Sequence, residues 1–185
     1  MIVVGASLGG LRAVGTILSA LNKDWSEPIA VVVHRAKESE NLLSSVLQRY
    51  SPIPVIEVLD KEPLRGGRVY VAPPDYHLLV EADCFSLSVE APVNYARPSI
   101  DVLFESAAFS LGAKAIAIAL TGSSADGAAG AAAIAARGGR VIVQAPEGAE
   151  SPVLPQAVLN RVPAAQVLTL DKIGPFLQQL NRPHH

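Results

Sequence analysis

Cysteine is nearly absent: Cys84 is the only one in 185 residues. A lone thiol closes no intrachain disulfide and builds no cysteine metal cluster, and it fits a reducing cytoplasm. Charge is also scarce, at 17% of residues with a net value of −2. No basic run and no interleaving of basic with aromatic residues occurs, so the usual footprint of a nucleic-acid partner is missing. No stretch stays apolar over the ~20 residues that a membrane helix needs, which argues against membrane insertion. The N-terminus lacks the basic leader of a signal peptide. Internal repeats and disordered linkers are missing too.

What remains is a chain built to pack. Half of its residues are hydrophobic, and its length suits one domain with a substantial core. We assign residues 1–182 to that domain and 183–185 to a tail, in which His184-His185 reads as a tag remnant without a chemical role. Apolar runs at 2–4, 29–33, 54–58, 115–120, 141–143 and 167–170 read as strands. Helical periodicity covers 8–21, with Leu11, Val14, Leu18 and Leu21 on one face. Further helices are expected at 42–47, from a Ser99 cap to about 111, at 128–136 before Gly138-Gly139, and at 173–180. Between them, 69–72, 77–80 and 85–89 are short runs separated by turn residues and read as antiparallel strands. The expected fold is a three-layer, doubly wound α/β domain: a mostly parallel sheet with a small antiparallel β insert.

The most pointed local pattern is Val3-Val4-Gly5-Ala6-Ser7-Leu8-Gly9-Gly10. Apolar residues run into Gly-x-Ser-x-Gly, and a helix follows, as where a nucleophile is presented on a tight strand-to-helix turn. The same serine also suits a helix N-cap. In open α/β sheets, ligands bind beyond the carboxyl ends of the strands. That rule selects the loops after Val4, Val33 and Leu120, which hold Ser7, His34 and the segment Thr121-Gly122-Ser123-Ser124-Ala125-Asp126-Gly127. Taken singly, His34 reads as a loop histidine and Asp126 as a turn residue. Together the three supply a hydroxyl nucleophile, a base that titrates near neutrality and a carboxylate to orient it. The competing dinucleotide fingerprint has Ser7 where its middle glycine belongs. Arg35 keeps an NADP-binding domain open as an alternative, and a catalytically inactive receptor-binding module is another.

The order Ser7, His34, Asp126 resembles the catalytic domain of the chemotaxis protein-glutamate methylesterases (CheB-type). The likeness rests on Gly5-Ala6-Ser7-Leu8-Gly9-Gly10, Val33-His34, Val71-Ala72-Pro73-Pro74-Asp75-Tyr76-His77-Leu78, Arg97-Pro98-Ser99-Ile100-Asp101-Val102-Leu103-Phe104 and Leu120-Thr121-Gly122 through Asp126-Gly127. It spans nearly the whole chain. It implies hydrolysis of glutamyl methyl esters on the helical cytoplasmic region of a chemoreceptor, with methanol released and receptor glutamines also deamidated. By the same resemblance Ser7 is the nucleophile, His34 the base and Asp126 its orienter, with no metal and no cofactor. The Leu8 and Ser123 N–H groups fall at the oxyanion positions; Thr121, Gly122 and Arg97 are further candidates for binding substrate, and His77 reads as structural. The family often carries a small residue or threonine at Leu8, methionine at Ser123 and Met-Pro after the histidine, so the pocket is expected to differ in shape. The family's usual receiver domain is not in the sequence. The resemblance therefore implies either a standalone member or one whose receiver domain acts in cis or in trans from outside it, in the cytoplasm.

Overall fold

The computed structural model describes residues 1–34 and 42–180. Arg35 and the 183–185 tail lie outside the described residues. In chain order the elements are β1 (Ile2–Ala6), α1 (Gly10–Ser19), β2 (Ile29–Val33), α2 (Leu43–Gln48), β3 (Val55–Glu57), β4 (Val69–Val71), β5 (His77–Val80) and β6 (Phe85–Ser88). There follow α3 (Ile100–Leu111), β7 (Ile116–Ala119), α4 (Ala128–Ala136), β8 (Arg140–Gln144), α5 (Val153–Arg161), β9 (Gln166–Leu168) and α6 (Leu170–Leu180).

Seven strands form one parallel sheet in the order β3-β4-β2-β1-β7-β8-β9. Side chains alternate across it. Val3, Ala30, Val32 and Ala117 face a core shared with α3, α4 and α5, while Ile2, Val4, Val31 and Ile118 face one shared with α1, α2 and α6. Both faces are covered, which is why the inner strands read as unbroken apolar runs. The alanine-rich α4 does pack tightly: a Cβ on Gly130 would stand 2.5 Å from Phe104 Cβ.

One expectation fails. Residues 69–72 were expected in the antiparallel insert, but Val69–Val71 lies inside the main sheet, parallel to both β2 and β3. The connection through 58–68 is long enough to bring the chain back in the same direction, which a two-residue hairpin cannot do. Only β5 and β6 pair antiparallel among the described strands. The first helix also starts later than 8, because Gly9 at φ 76° holds a left-handed turn ahead of it.

Register positions the site. Ala6 pairs with Val33 and Gly5 with Ala119, so β1, β2 and β7 end at one level. His34 N–H donates to Ala6 O and Ser7 N–H to Thr121 O, each at 3.0 Å. The three loops singled out by sequence therefore leave the sheet side by side, where β1 separates strands laid to its left and right.

Candidate active site

His34 and Asp126 meet. The imidazole Nε2 lies 2.7 Å from Asp126 Oδ2, and the carboxylate side chain is fully buried. An ionised carboxylate only accepts hydrogen bonds, so the ring proton belongs on Nε2 and the free lone pair on Nδ1. Ser7 and His34 line the same cavities together with Ser123. The Ser7 hydroxyl makes no hydrogen bond to a described residue. It does not cap α1 either, since the N-cap is Gly9 and no side chain bonds there. A serine with no such contact, lining the same cavities as an oriented imidazole, leaves its hydroxyl available to a substrate.

The setting of Asp126 is the strongest electrostatic feature. Its Oδ2 accepts from His34 and from Ile100 N–H at 2.7 Å. Its Oδ1 accepts from Ser99 Oγ at 2.7 Å, Asp101 N–H at 3.1 Å and Asn94 Nδ2 at 3.3 Å. The carboxylate thus sits on the N-terminus of α3, where free N–H groups and the helix dipole favour negative charge. Burial pushes its carboxyl up, but the hydrogen bonds from His34, Ser99 and the two amides outweigh that and hold it below the ordinary range.

Ser99 does cap α3, as its sequence position implied, and accepts from Val102 N–H at 3.4 Å. It also donates to Asp126, and its own N–H donates to His77 Nδ1 at 3.2 Å. His77 is buried, with Nε2 on Ala91 O at 3.1 Å, which is a structural placement. Ser99→Ala should cost about 1–2 kcal/mol through the lost cap and the loosened carboxylate. Thermal unfolding beside the parent checks it; an unchanged melting temperature would show that neither contact matters.

The secondary candidates separate. The N–H groups of Thr121 and Gly122 are spent on Gln144 Oε1 at 2.9 Å and Ser151 O at 3.0 Å, so neither is left for an oxyanion. Thr121 Oγ1 instead donates to Leu8 O at 2.9 Å, tying the loop after β7 to the turn that holds Ser7. The N–H groups of Leu8 and Ser123 have no acceptor among the described residues. Arg97 lines the polar cavity, yet its Nε and Nη2 grip Asp75 Oδ1 at 3.0 and 2.6 Å while Nη1 bonds Val89 O and Glu90 O. Its guanidinium straps the segment after β6 to the site's edge, and a substrate carboxylate would have to compete with Asp75 for it.

Two residues escaped the sequence reading. Asn94 stands at φ 50° and Tyr95 at φ 63° in a tight turn closed between Val93 and Ala96. Asn94 Nδ2 bridges Asp126 and Asp101, the latter at 2.9 Å. Asp101 is buried, accepts Gly130 N–H at 2.7 Å, and has its carboxyl pushed up by burial and by the neighbouring Asp126 charge. An asparagine that tolerates positive φ was the available signal for the turn, but nothing local pointed to the carboxylate it reaches.

A doubly wound α/β sheet with these groups at its carboxyl edge defines the class: a hydrolytic domain with the parts of a serine esterase. Residues 2–177 match the CheB methylesterase family model, and the chain belongs to that family. A Leptospira interrogans protein, provisionally named a protein-glutamate methylesterase/protein-glutamine glutaminase, is 40% identical over 98% of this chain and 94% of its own length. A Caulobacter vibrioides protein with the same double name is 38% identical over 95% of this chain but only 52% of its own length. The solved Thermotoga maritima CheB methylesterase catalytic domain superposes with a TM-score of 0.93 at 34% identity, covering 97% of both chains. Family membership displaces the NADP-binding alternative. Among the described residues no helix is long and apolar enough to cross a membrane.

Proposed function

We propose that the chain hydrolyses methyl esters on glutamate side chains of a chemoreceptor's helical region, and deamidates glutamine at the same site. The observation that carries the reading is the His34 Nε2–Asp126 Oδ2 contact of 2.7 Å beside Ser7. In the proposed sequence Ser7 Oγ attacks the ester carbonyl as His34 Nδ1 takes its proton. The Leu8 and Ser123 N–H groups hold the developing oxyanion. Collapse of the tetrahedral intermediate expels methanol with the proton from His34 and leaves a glutamyl ester on Ser7. Water, deprotonated by His34, then releases the glutamate carboxylate and restores the serine. A glutamine enters by the same route with ammonia leaving, because both substrates share the γ-acyl group that the enzyme carries.

The partner in this reading is a methylated receptor in the cytoplasm, with a receiver domain in cis or in trans as regulator. Methanol release from a methylated receptor, followed alongside labelling by a fluorophosphonate, tests it. The expected result is catalytic methanol production that stops when one equivalent of label sits on Ser7. Release that continues after full labelling, or no release at all, would overturn the assignment.

A further inference from the structure

Two clefts of opposite character meet at Ser7. The polar one, about 510 Å³, carries Asp75, Asn94, Arg97 and Ser124. The other, about 590 Å³, runs past Leu8, Leu11, Val33 and Leu43 to Arg12. Both share Ser7, His34 and Ser123. Leu8 is 53% and Leu11 40% exposed. A single exposed leucine calls for no explanation, but a contiguous apolar wall opening onto a reacting serine does. Arg12, in the same lining, is exposed and forms no ion pair with a described residue.

We infer that this apolar cleft seats the substrate helix itself. It takes an apolar side chain one turn from the esterified glutamate against Leu8 and Leu11, and an acidic one toward Arg12. The inference rests on the methylesterase reading of the site. A glutamate side chain is short, so an ester that reaches Ser7 brings the helix carrying it against whatever flanks the serine. On that helix, residues three and four positions away share the face of the glutamate. One flank here is polar and the other apolar, so an amphipathic helix fits in one rotational setting and not when rolled over. This is recognition of a helix in a groove, with anchors spaced by a turn. The cleft is continuous with the reacting centre, and the exposed Arg12 in its lining complements an acidic side chain on the incoming helix, which together favour the substrate over a second copy of this chain as occupant.

The test uses helical peptides bearing one glutamate γ-methyl ester, with leucine or glutamine placed in turn at the four positions three and four residues away. Wild type should favour leucine about 10-fold in kcat/KM at one of these positions, through KM. In Leu11→Gln that preference should fall below about 2-fold, and Arg12→Gln should erase a preference for glutamate one turn beyond. No preference in wild type, or one that survives Leu11→Gln, overturns the inference. A concentration-dependent dimer that Leu11→Gln breaks, with no peptide preference, assigns the cleft to a second copy and also overturns it. Hydrolysis of N-acetylglutamate γ-methyl ester separates the two levels. Activity on this small ester without peptide preference defeats the inference alone, whereas inertness toward the small ester and the peptides alike defeats the methylesterase reading as well.

Discussion

Ser7→Ala should lower methanol release by roughly 10⁵–10⁶-fold, the scale at which serine hydrolases lose turnover without their nucleophile. The same substitution should leave the fold alone. The Ser7 hydroxyl makes no hydrogen bond to a described residue, and α1 begins from a Gly9 cap to which no side chain contributes. Removing the hydroxyl therefore costs less than about 0.5 kcal/mol, which for a chain of this size moves the melting temperature by under about 2 °C. A serine acting as a cap would behave in the reverse manner, losing about 1 kcal/mol and little activity. Initial rates of methanol release and a thermal melt on the same two samples decide between them. A variant that keeps a tenth of the parent rate would remove Ser7 from the chemistry. The Leu8 and Ser123 N–H groups remain in the variant, so substrate binding should persist, and a KM within a few-fold of the parent is expected wherever residual turnover can be read.

The parts of the site legible in sequence were those that follow from strand ends. Ser7, His34 and Asp126 each sit just past or a few residues beyond an apolar run, and parallel register does the rest by ending three strands at one level. Contact between His34 and Asp126, 92 positions apart, was not legible, because sequence orders strands along the chain and not across the sheet. The same limit explains Val69–Val71. Its short, wholly apolar run suits either direction, and only its neighbours β2 and β3 make it parallel. Which N–H groups of the loop after β7 are left free was not legible either, and those of Thr121 and Gly122 are not. The buried Gln144 and the Ser151 carbonyl, which arrive from the next crossover, consume them. Asn94 shows the opposite error. It lies on an exposed turn, where polar residues are ordinary, yet it reaches the most buried carboxylate of the site.

Asp126→Asn should reduce kcat/KM by on the order of 10³–10⁴ while leaving the protein folded. The cause is that every polar neighbour of the carboxylate is a donor: His34 Nε2 and Ile100 N–H on one oxygen, and Ser99 Oγ, Asn94 Nδ2 and Asp101 N–H on the other. An amide must aim its NH₂ at one of these two sets. Turned toward Oδ2's partners, it drives His34 to accept at Nε2 and so places the ring proton on Nδ1, where the base is needed. Turned the other way, it opposes the Asp101 N–H. Either setting leaves a buried donor unsatisfied, which costs about 1–3 kcal/mol. The pH dependence follows from the sign of the shift. Asp126's carboxyl is held below its unfolded value of about 3.9. Its stabilising contribution is therefore complete above that pH and is lost as pH falls through the lower folded value. Wild type should accordingly be more stable than Asp126→Asn at neutral pH, with the gap closing below about pH 4. Asp101 titrates with the opposite sign, because burial raises its carboxyl and its charged form weakens the fold as pH rises. Part of that rise comes from the Asp126 charge itself, so the difference between the two proteins' denaturant midpoints from pH 7 to pH 3 reports Asp126 together with its coupling to Asp101. A gap that stays constant across this range would mean that the charge on Asp126 contributes nothing to the fold and that the carboxylate acts on His34 through geometry alone.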